Sequence, residues 1–402
     1  MSEALLYADN KQAIVQFISN RKIVSKAELL DVFSVTSSTL TRILQELVEI
    51  GIIKTAGYGP SNGGRKPILY EINGDFGYVV GIEISRFITT ISLFNFRLEP
   101  VATTHSQMDS SMRPSVYIDY VKGQLLSFCK DHNIELSAIS GVGIGAVGPL
   151  DREQGLILNP KLYMADGWHQ INIRSLFEQQ LGIPTLLDNG ADCAAIGEQY
   201  AFRLEDLEAD HLLYVHAGVG LRSSVISEGR LVRGKIDREG AFGQMIVRVG
   251  DPSFLPSNAP GALENYASIT GIIEQLKMHY RSGRRLSEEV HREQDIHYDF
   301  FVKSIYREDP TVLELVKQAA AYLGIGIANM INMFQPSKVI LGGALTNLYK
   351  PHAKLVEEAA AQFTYLREHN RVQFLRGLLQ ENAVATGAAY LMRASMIQQV
   401  IK

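Results

Sequence analysis

Cysteine is scarce. The 402 residues contain two, Cys129 and Cys193, far apart in sequence. With no CxxC pair, the chain offers neither a disulfide framework nor a zinc ribbon, and such usage suits a reducing cytoplasm. Long hydrophobic runs are missing too, and none reaches membrane-spanning length uninterrupted. The opening "MSEALLYADNKQAIVQF" lacks the basic start and apolar core of a signal peptide. The expectation is a cytoplasmic protein without a membrane partner. Charge of one sign is also missing: the net charge is −4, and residues 1–73 carry eight Lys/Arg against seven Asp/Glu. A reader of nucleic acid would therefore have to concentrate its cations locally. No GxxxxGK[ST] phosphate loop occurs. What is present is an ordinary apolar content of 46% and length enough for two or three domains.

The first 73 residues hold three helical patterns. Asn10 to Asn20 sets Ile14, Phe17 and Ile18 on one face. Ser25-Lys26-Ala27-Glu28 has capping-box spacing, in which Ser25 and Glu28 satisfy each other's free N–H groups. The helix it opens would bury Leu29, Leu30 and Phe33. After a short turn, "SSTLTRILQELVEIG" spaces Leu40, Ile43, Leu44, Leu47 and Val48 along one face, and Gly51 is placed to stop it left-handed. This succession makes a helix-turn-helix, although a plain three-helix bundle would satisfy the same periodicity. Early in the third helix, Ser37, Ser38, Thr39, Thr41 and Arg42 are small, polar or cationic, as a major groove requires. "GIIKTAGYGPSNGGRKPILYEIN" then reads as strand, long turn, strand: a β-wing with Gly63, Gly64, Arg65 and Lys66 at its tip. Paired glycines allow close backbone approach, and Arg65 suits a narrow A·T-rich minor groove. The expected partner is double-stranded DNA, an A/T-rich inverted repeat. A homodimer or higher homo-oligomer would match its two half-sites.

From Tyr78 the pattern becomes α/β. "YVVGIEISRFITTISLFNFRLEPVATTH" reads as consecutive strands with a turn near Asn95, and "AISGVGIGAVGPLD" as a strand running into a glycine-rich turn. "HLLYVHAGVGLRSSVISEGRLVRG" echoes the first of these, which suggests two related lobes. Ile171–Leu181, Leu313–Phe334 and Ala383–Ile401 read as helices. In "PTLLDNGADCAAIGE" a buried strand opens at Asp188-Asn189-Gly190 into a helix from Ala191. Such strand ends are where α/β folds hold ligands.

Taken in order, "GVGIGAVGPLD", "LNPKLYMADGWH", "LGIPTLLDNGADCAAIGE", "EGRLVRG", "GALENYAS" and "VILGGAL" resemble successive motifs of the ROK family. That family contains sugar kinases and sugar-responsive repressors. The "NGGRKP" wing resembles its transcriptional-repressor branch, and the resemblance covers nearly the whole chain. It implies a winged helix-turn-helix, mainly α, followed by a two-lobed α/β body. The body would be actin-like (ribonuclease-H-like), of sugar-kinase type, with sugar held in the cleft. The expected domains are 1–73 for the DNA-binding head, 74–190 for the first lobe, completed by 384–402, and 191–383 for the second lobe.

The departures from the family carry the functional expectation. In the kinases the segment reads Asn-Asp, and the Asp accepts the sugar hydroxyl's proton. Here it is Asn189-Gly190, and glycine has no side chain to act as a base. Asp188 and Asp192 flank the position, but strand-to-helix geometry should point them elsewhere. The first nucleotide loop, an acid followed by Gly-Gly-Thr, is Glu83-Ile84-Ser85-Arg86-Phe87. The second, "GVGLRSS", carries Arg222, Ser223 and Ser224, and only Gly342-Gly343 keeps the pattern. Family members commonly hold zinc through a cysteine-rich loop and a His. Here that loop, "GDPSFLPSNAPGALENYAS", has no cysteine, Gln244 stands at the His position and Ala241 at a Glu position. No catalytic residue, metal, ATP or other cofactor is therefore expected. Gly145, Asn189, Gln244 and Glu264 match positions that would meet a sugar or sugar-phosphate effector. The expected function is DNA-binding transcriptional regulation, chiefly repression, of carbohydrate-related genes, with a catalytically inactive body for dimerisation and effector sensing. An ATP-dependent sugar kinase with a fused head, and a repressor controlled by a protein partner, are the alternatives.

Overall fold

The structure, a computed structural model, describes residues 3–60, 66–160, 162–234, 239–251, 253, 255–256, 258–284, 286–287, 289–365, 368 and 371–401. It divides into two units, Met1–Glu208 with Asn382–Lys402, and Ala209–Glu381.

The first unit opens with α1 (Glu3–Ser19), β1 (Val24–Ser25), α2 (Lys26–Val32) and α3 (Ser37–Ile50), followed by β2 (Ile53–Tyr58) and β3 (Ile68–Ile72). The capping box forms: Glu28 N donates to Ser25 Oγ at 3.2 Å, and Ser25 N to Glu28 Oε2 at 2.6 Å. The hydrogen bond from Ser25 N, and after it the Ser25 hydroxyl, hold the Glu28 carboxyl below its usual range. Thr36 caps α3 by accepting from Thr39 N at 3.2 Å, and Gly51, at φ 87°, ends it. Leu40, Ile43, Leu44 and Leu47 are buried as the spacing requires, whereas Val48 is 38% exposed. β3 pairs antiparallel with both β2 and β1, so the hairpin is closed on the helices.

The same unit continues with β4 (Tyr78–Ile84), β5 (Ile88–Asn95), β6 (Pro100–Gln107), α4 (Pro114–His132) and β7 (Ile139–Ala146). Three short strands follow, β8 (Leu150–Asp151), β9 (Leu156–Ile157) and β10 (Ile171–Asn172). Next come α5 (Ile173–Leu181), β11 (Thr185–Asn189) and α6 (Gly190–Leu204). The helix expected from Ile171 starts two residues later because Ile171 and Asn172 pair with β9. The sheet order is β11-β7-β4-β5-β6, with β4–β6 an antiparallel meander and β7 and β11 parallel to β4.

The second unit holds β12 (Leu212–Ala217), β13 (Leu221–Ser227), β14 (Arg230–Leu231), α7 (Leu263–Ala267), α8 (Ile269–Arg281) and α9 (Tyr298–Tyr306). After them come α10 (Pro310–Phe334), β15 (Lys338–Gly342), α11 (Ala344–Leu348), α12 (His352–Phe363) and β16 (Gln373–Leu375). Its sheet order, β14-β13-β12-β15-β16, repeats the first: an antiparallel meander, then two parallel strands. The echo between the two sequence segments is thus a duplicated ribonuclease-H-like topology. By length and composition α10 is apolar enough to cross a membrane, but Leu315, Val316, Leu323 and Ile327 are core residues of this unit.

The last helix, α13 (Ala383–Ile401), returns to the first unit. It lies against β7 through three alternate glycines. A Cβ at Gly141, Gly143 or Gly145 would strike Met392, Ala388 or Val384 respectively, at 2.0–2.5 Å. Two strand residues advance about 6.6 Å and four helix residues about 6 Å, so the two repeats stay in step. On its other side Gly387 meets Cys193 O of α6, with no room for a side chain. This packing corrects the expected boundary after residue 190. α6 belongs to the first unit because its partner is α13, and the second unit begins at Ala209.

Candidate functional site

At the start of α3, Ser37, Ser38 and Arg42 are exposed, while Thr39 and Thr41 are half-buried. Their hydroxyls are organised. Thr39 Oγ1 lies 2.8 Å from Thr36 Oγ1, and Ser38 Oγ lies 3.0 Å from the same atom. Thr41 Oγ1 donates to Ser37 O at 2.7 Å. Lys26, the first residue of α2, donates through Nζ to Ser37 Oγ at 2.9 Å and to Thr41 Oγ1 at 2.6 Å. A cation therefore sits beside the polar turn of α3. The sequence reading missed Lys26 because it was absorbed into the capping motif; its place next to the capping Ser25 was the available signal. Lys66 is exposed, two residues before β3. Gly63, Gly64 and Arg65 lie outside the described residues.

In the first lobe Asp188 and Asn189 end β11, and Gly190 opens α6. Asn189 is fully buried, and its side chain accepts from Ala191 N at 2.9 Å, capping α6. Arg152, on the segment after β8, donates through Nε to Asp188 Oδ1 at 2.5 Å and through Nη2 to Asp192 Oδ2 at 3.0 Å. Asp188 accepts also from Asn189 N at 2.7 Å. Both carboxylates are more than 90% buried as side chains. Both are ion-paired with the same guanidinium. Arg152 was not singled out in the sequence. Gly145 lies within β7 and serves the seat of α13. Arg86 and Phe87 form the tip of a turn closed by Ser85, whose Oγ donates to Ile88 O at 2.7 Å. Arg222 lies within β13, paired with His216.

In the second unit Gln244 and Glu264 come together. Gln244 Nε2 donates to Asn258 Oδ1 at 3.0 Å and to Glu264 Oε2 at 3.4 Å, and Leu221 N donates to Glu264 Oε1 at 2.9 Å. The loop expected to lack zinc ligands has other ties. Arg248 donates to Tyr322 OH at 3.0 Å and pairs with Asp251 at 3.0 Å, and Tyr266 OH donates to Asp251 at 3.1 Å. Burial, then the Asp251 hydrogen bond, push the Tyr266 phenol up to about 12. Among the described residues no three His, Cys, Asp or Glu side chains gather as a metal site, and a loop tied by Gln244, Arg248 and tyrosines does not fit zinc.

Two sheets of the same order, and a helical head with a β-hairpin, define a sugar-kinase-type body joined to an N-terminal module. The chain belongs to the ROK family, whose model matches residues 79–395. It is 25% identical over 400 residues to a xylose repressor of Caldicellulosiruptor bescii, covering 98% of each chain. Among solved structures it resembles a ROK family transcriptional regulator, a homolog of the E. coli MLC protein. That match has TM-score 0.74 and 18% identity, and covers 98% of this chain and 96% of that one. A ROK hexokinase from Thermus thermophilus covers 79% of this chain and 99% of its own, with TM-score 0.62 and 22% identity. The hexokinase likeness bears on the body's fold alone.

Proposed function

We propose that the protein is a transcriptional repressor of carbohydrate-related genes, acting through a winged helix-turn-helix head that binds DNA. The observation that carries the reading is the start of α3, where Ser37, Ser38 and Arg42 face solvent with Lys26 beside them. In this reading α3 enters a major groove, Arg42 reaches a base edge and Lys26 a phosphate. Lys66 and Arg65 of the wing follow the adjacent minor groove. Two heads of a homodimer meet an inverted repeat. Similarity to a xylose repressor along 98% of both chains supports the assignment to sugar metabolism. The repressor acts in the cytoplasm and needs no metal or nucleotide.

The body, in this reading, has no catalytic role. Gly190 supplies no base, and the carboxylates on either side are bound to Arg152. A sugar or sugar-phosphate effector would find polar partners in Gln244 and Glu264, while the Asn189 carbonyl oxygen is engaged as a cap. Genome-wide footprinting with the purified protein tests the proposal: the expected result is protected inverted repeats beside carbohydrate genes. Absence of protected sites, or phosphorylation of a hexose panel by ATP at ordinary kinase rates, would overturn it.

A further inference from the structure

The head is not joined to the first lobe by a linker alone. Its core residues Ile14, Ile18, Leu40 and Leu47 share one apolar cluster with Phe96, Met392, Met396 and Ile401 of the lobe. Four polar ties cross the same boundary. Just past α1, Arg21 pairs with Asp206 at 3.3 Å and Lys22 with Glu205 at 2.9 Å, at the C-terminal end of α6. Tyr390 OH of α13 donates to Asn20 Oδ1 at 3.0 Å. Tyr200 OH of α6 donates to Arg97 O at 2.8 Å, and the Arg97 guanidinium donates to Glu71 of β3 at 2.9 Å. Behind these ties Arg393, 1% exposed, donates to Phe96 O at 3.2 Å, and its guanidinium lies over the rings of Tyr200 and Tyr390 at 5.2 and 5.3 Å.

We propose that α6 and α13 seat the head as a rigid outgrowth of the first lobe, with Arg97, Tyr390, Arg21 and Lys22 as its positioning residues. The glycine contacts of α13 leave no room for it to slide on β7 or α6, and close-packed interiors pass displacement on rather than absorb it. α6 spans about 22 Å at 1.5 Å per residue, from the Arg152 clasp to the Arg21 and Lys22 pairs. The head's direction is therefore set at several separated points. The consequence for DNA rests on the proposed role of the head: half-site spacing would report the placement of whole first units, not the swing of tethered heads. The seat itself is a property of the free chain, so it can be tested without DNA.

The test places spin labels on exposed positions of the full-length protein, Ser38→Cys on α3 and Asp119→Cys on α4, and measures the distance distribution between them. Both native cysteines are buried. A single narrow distribution is expected, and a broad or multiple one, as a tethered head gives, would overturn the proposal. Arg97→Met combined with Tyr390→Phe should broaden the distribution while the urea midpoint of the body stays in place. A distribution left as narrow as before would remove these residues from the positioning role. A narrow distribution, with no DNA protected by the unlabelled protein that keeps Ser38, would leave the seat standing and sink only the repressor reading.

Discussion

Gly190→Ala tests whether packing is the reason for glycine at the start of α6. Gly190 is the first residue of α6. A Cβ there would meet Ala146 O at 3.6 Å and Val384 Cγ1 at 3.9 Å, ordinary contacts, and its φ is not in the left-handed region. Nothing in the packing demands glycine. Alanine should stabilise the chain by about 0.4–1 kcal/mol, chiefly by restricting the unfolded state. Gly143→Ala is the control, since its Cβ would lie 2.0 Å from Ala388 O. Overpacking of that kind costs about 1–3 kcal/mol or more. Urea unfolding reads both, as a shift in midpoint at constant slope. A loss above about 1 kcal/mol for Gly190→Ala would refute the reasoning, because the glycine would then be a packing requirement. If alanine is accepted, Gly190→Asp becomes informative. The start of a helix favours a carboxylate by about 0.3–1 kcal/mol, against repulsion from Asp188 and Asp192, which Arg152 already engages.

Four further outcomes are expected. Arg152→Met leaves two buried carboxylates without their guanidinium; its cost, read by urea unfolding, should lie between the roughly 1 kcal/mol of an exposed pair and the 3–5 kcal/mol of a fully buried one. An unchanged midpoint would show the clasp to be idle. Burial pushes His352 down from 6.5 to about 4, so the unfolded chain takes up the proton first. Stability is then complete above about pH 6.5 and falls by about 3 kcal/mol as pH drops toward 4. His352→Leu should abolish that slope, and matching pH profiles for the two proteins would refute it. Lys26→Ala should weaken binding to all DNA sequences and lower the salt slope by about one, while Arg42→Ala should cost about 1–3 kcal/mol and relax sequence preference; the same signature for both variants would remove the distinction between phosphate and base contact. Incubation with EDTA should leave the melting temperature unchanged, and a fall would reveal a metal that the loop around Arg248 and Tyr266 does not suggest.

What could be read in the sequence was local. The Ser25–Glu28 box and the Gly51 stop use neighbours within one turn, so the spacing of a few residues defines them. The sheet strands were legible as apolar runs, and their repetition in "HLLYVHAGVGLRSSVISEG" as a second sheet. Contacts over long separations were not legible. Arg152 meets Asp188 and Asp192 across 36 and 40 residues, and no periodicity links "LDREQG" to "LDNGAD". The boundary placed after residue 190 failed for the same reason, since the helix that claims α6 lies at the other end of the chain. The glycines of "GVGIGAVG" teach the most. In sequence they read as a strand running into a glycine-rich turn, with Gly145 in the turn as a candidate effector contact. Gly141, Gly143 and Gly145 instead lie within β7 and face α13 at Met392, Ala388 and Val384. Their period of two on the strand matches a period of four on the helix, a pattern visible only once both segments are set side by side. In this body those three glycines anchor the helix on which the head is seated.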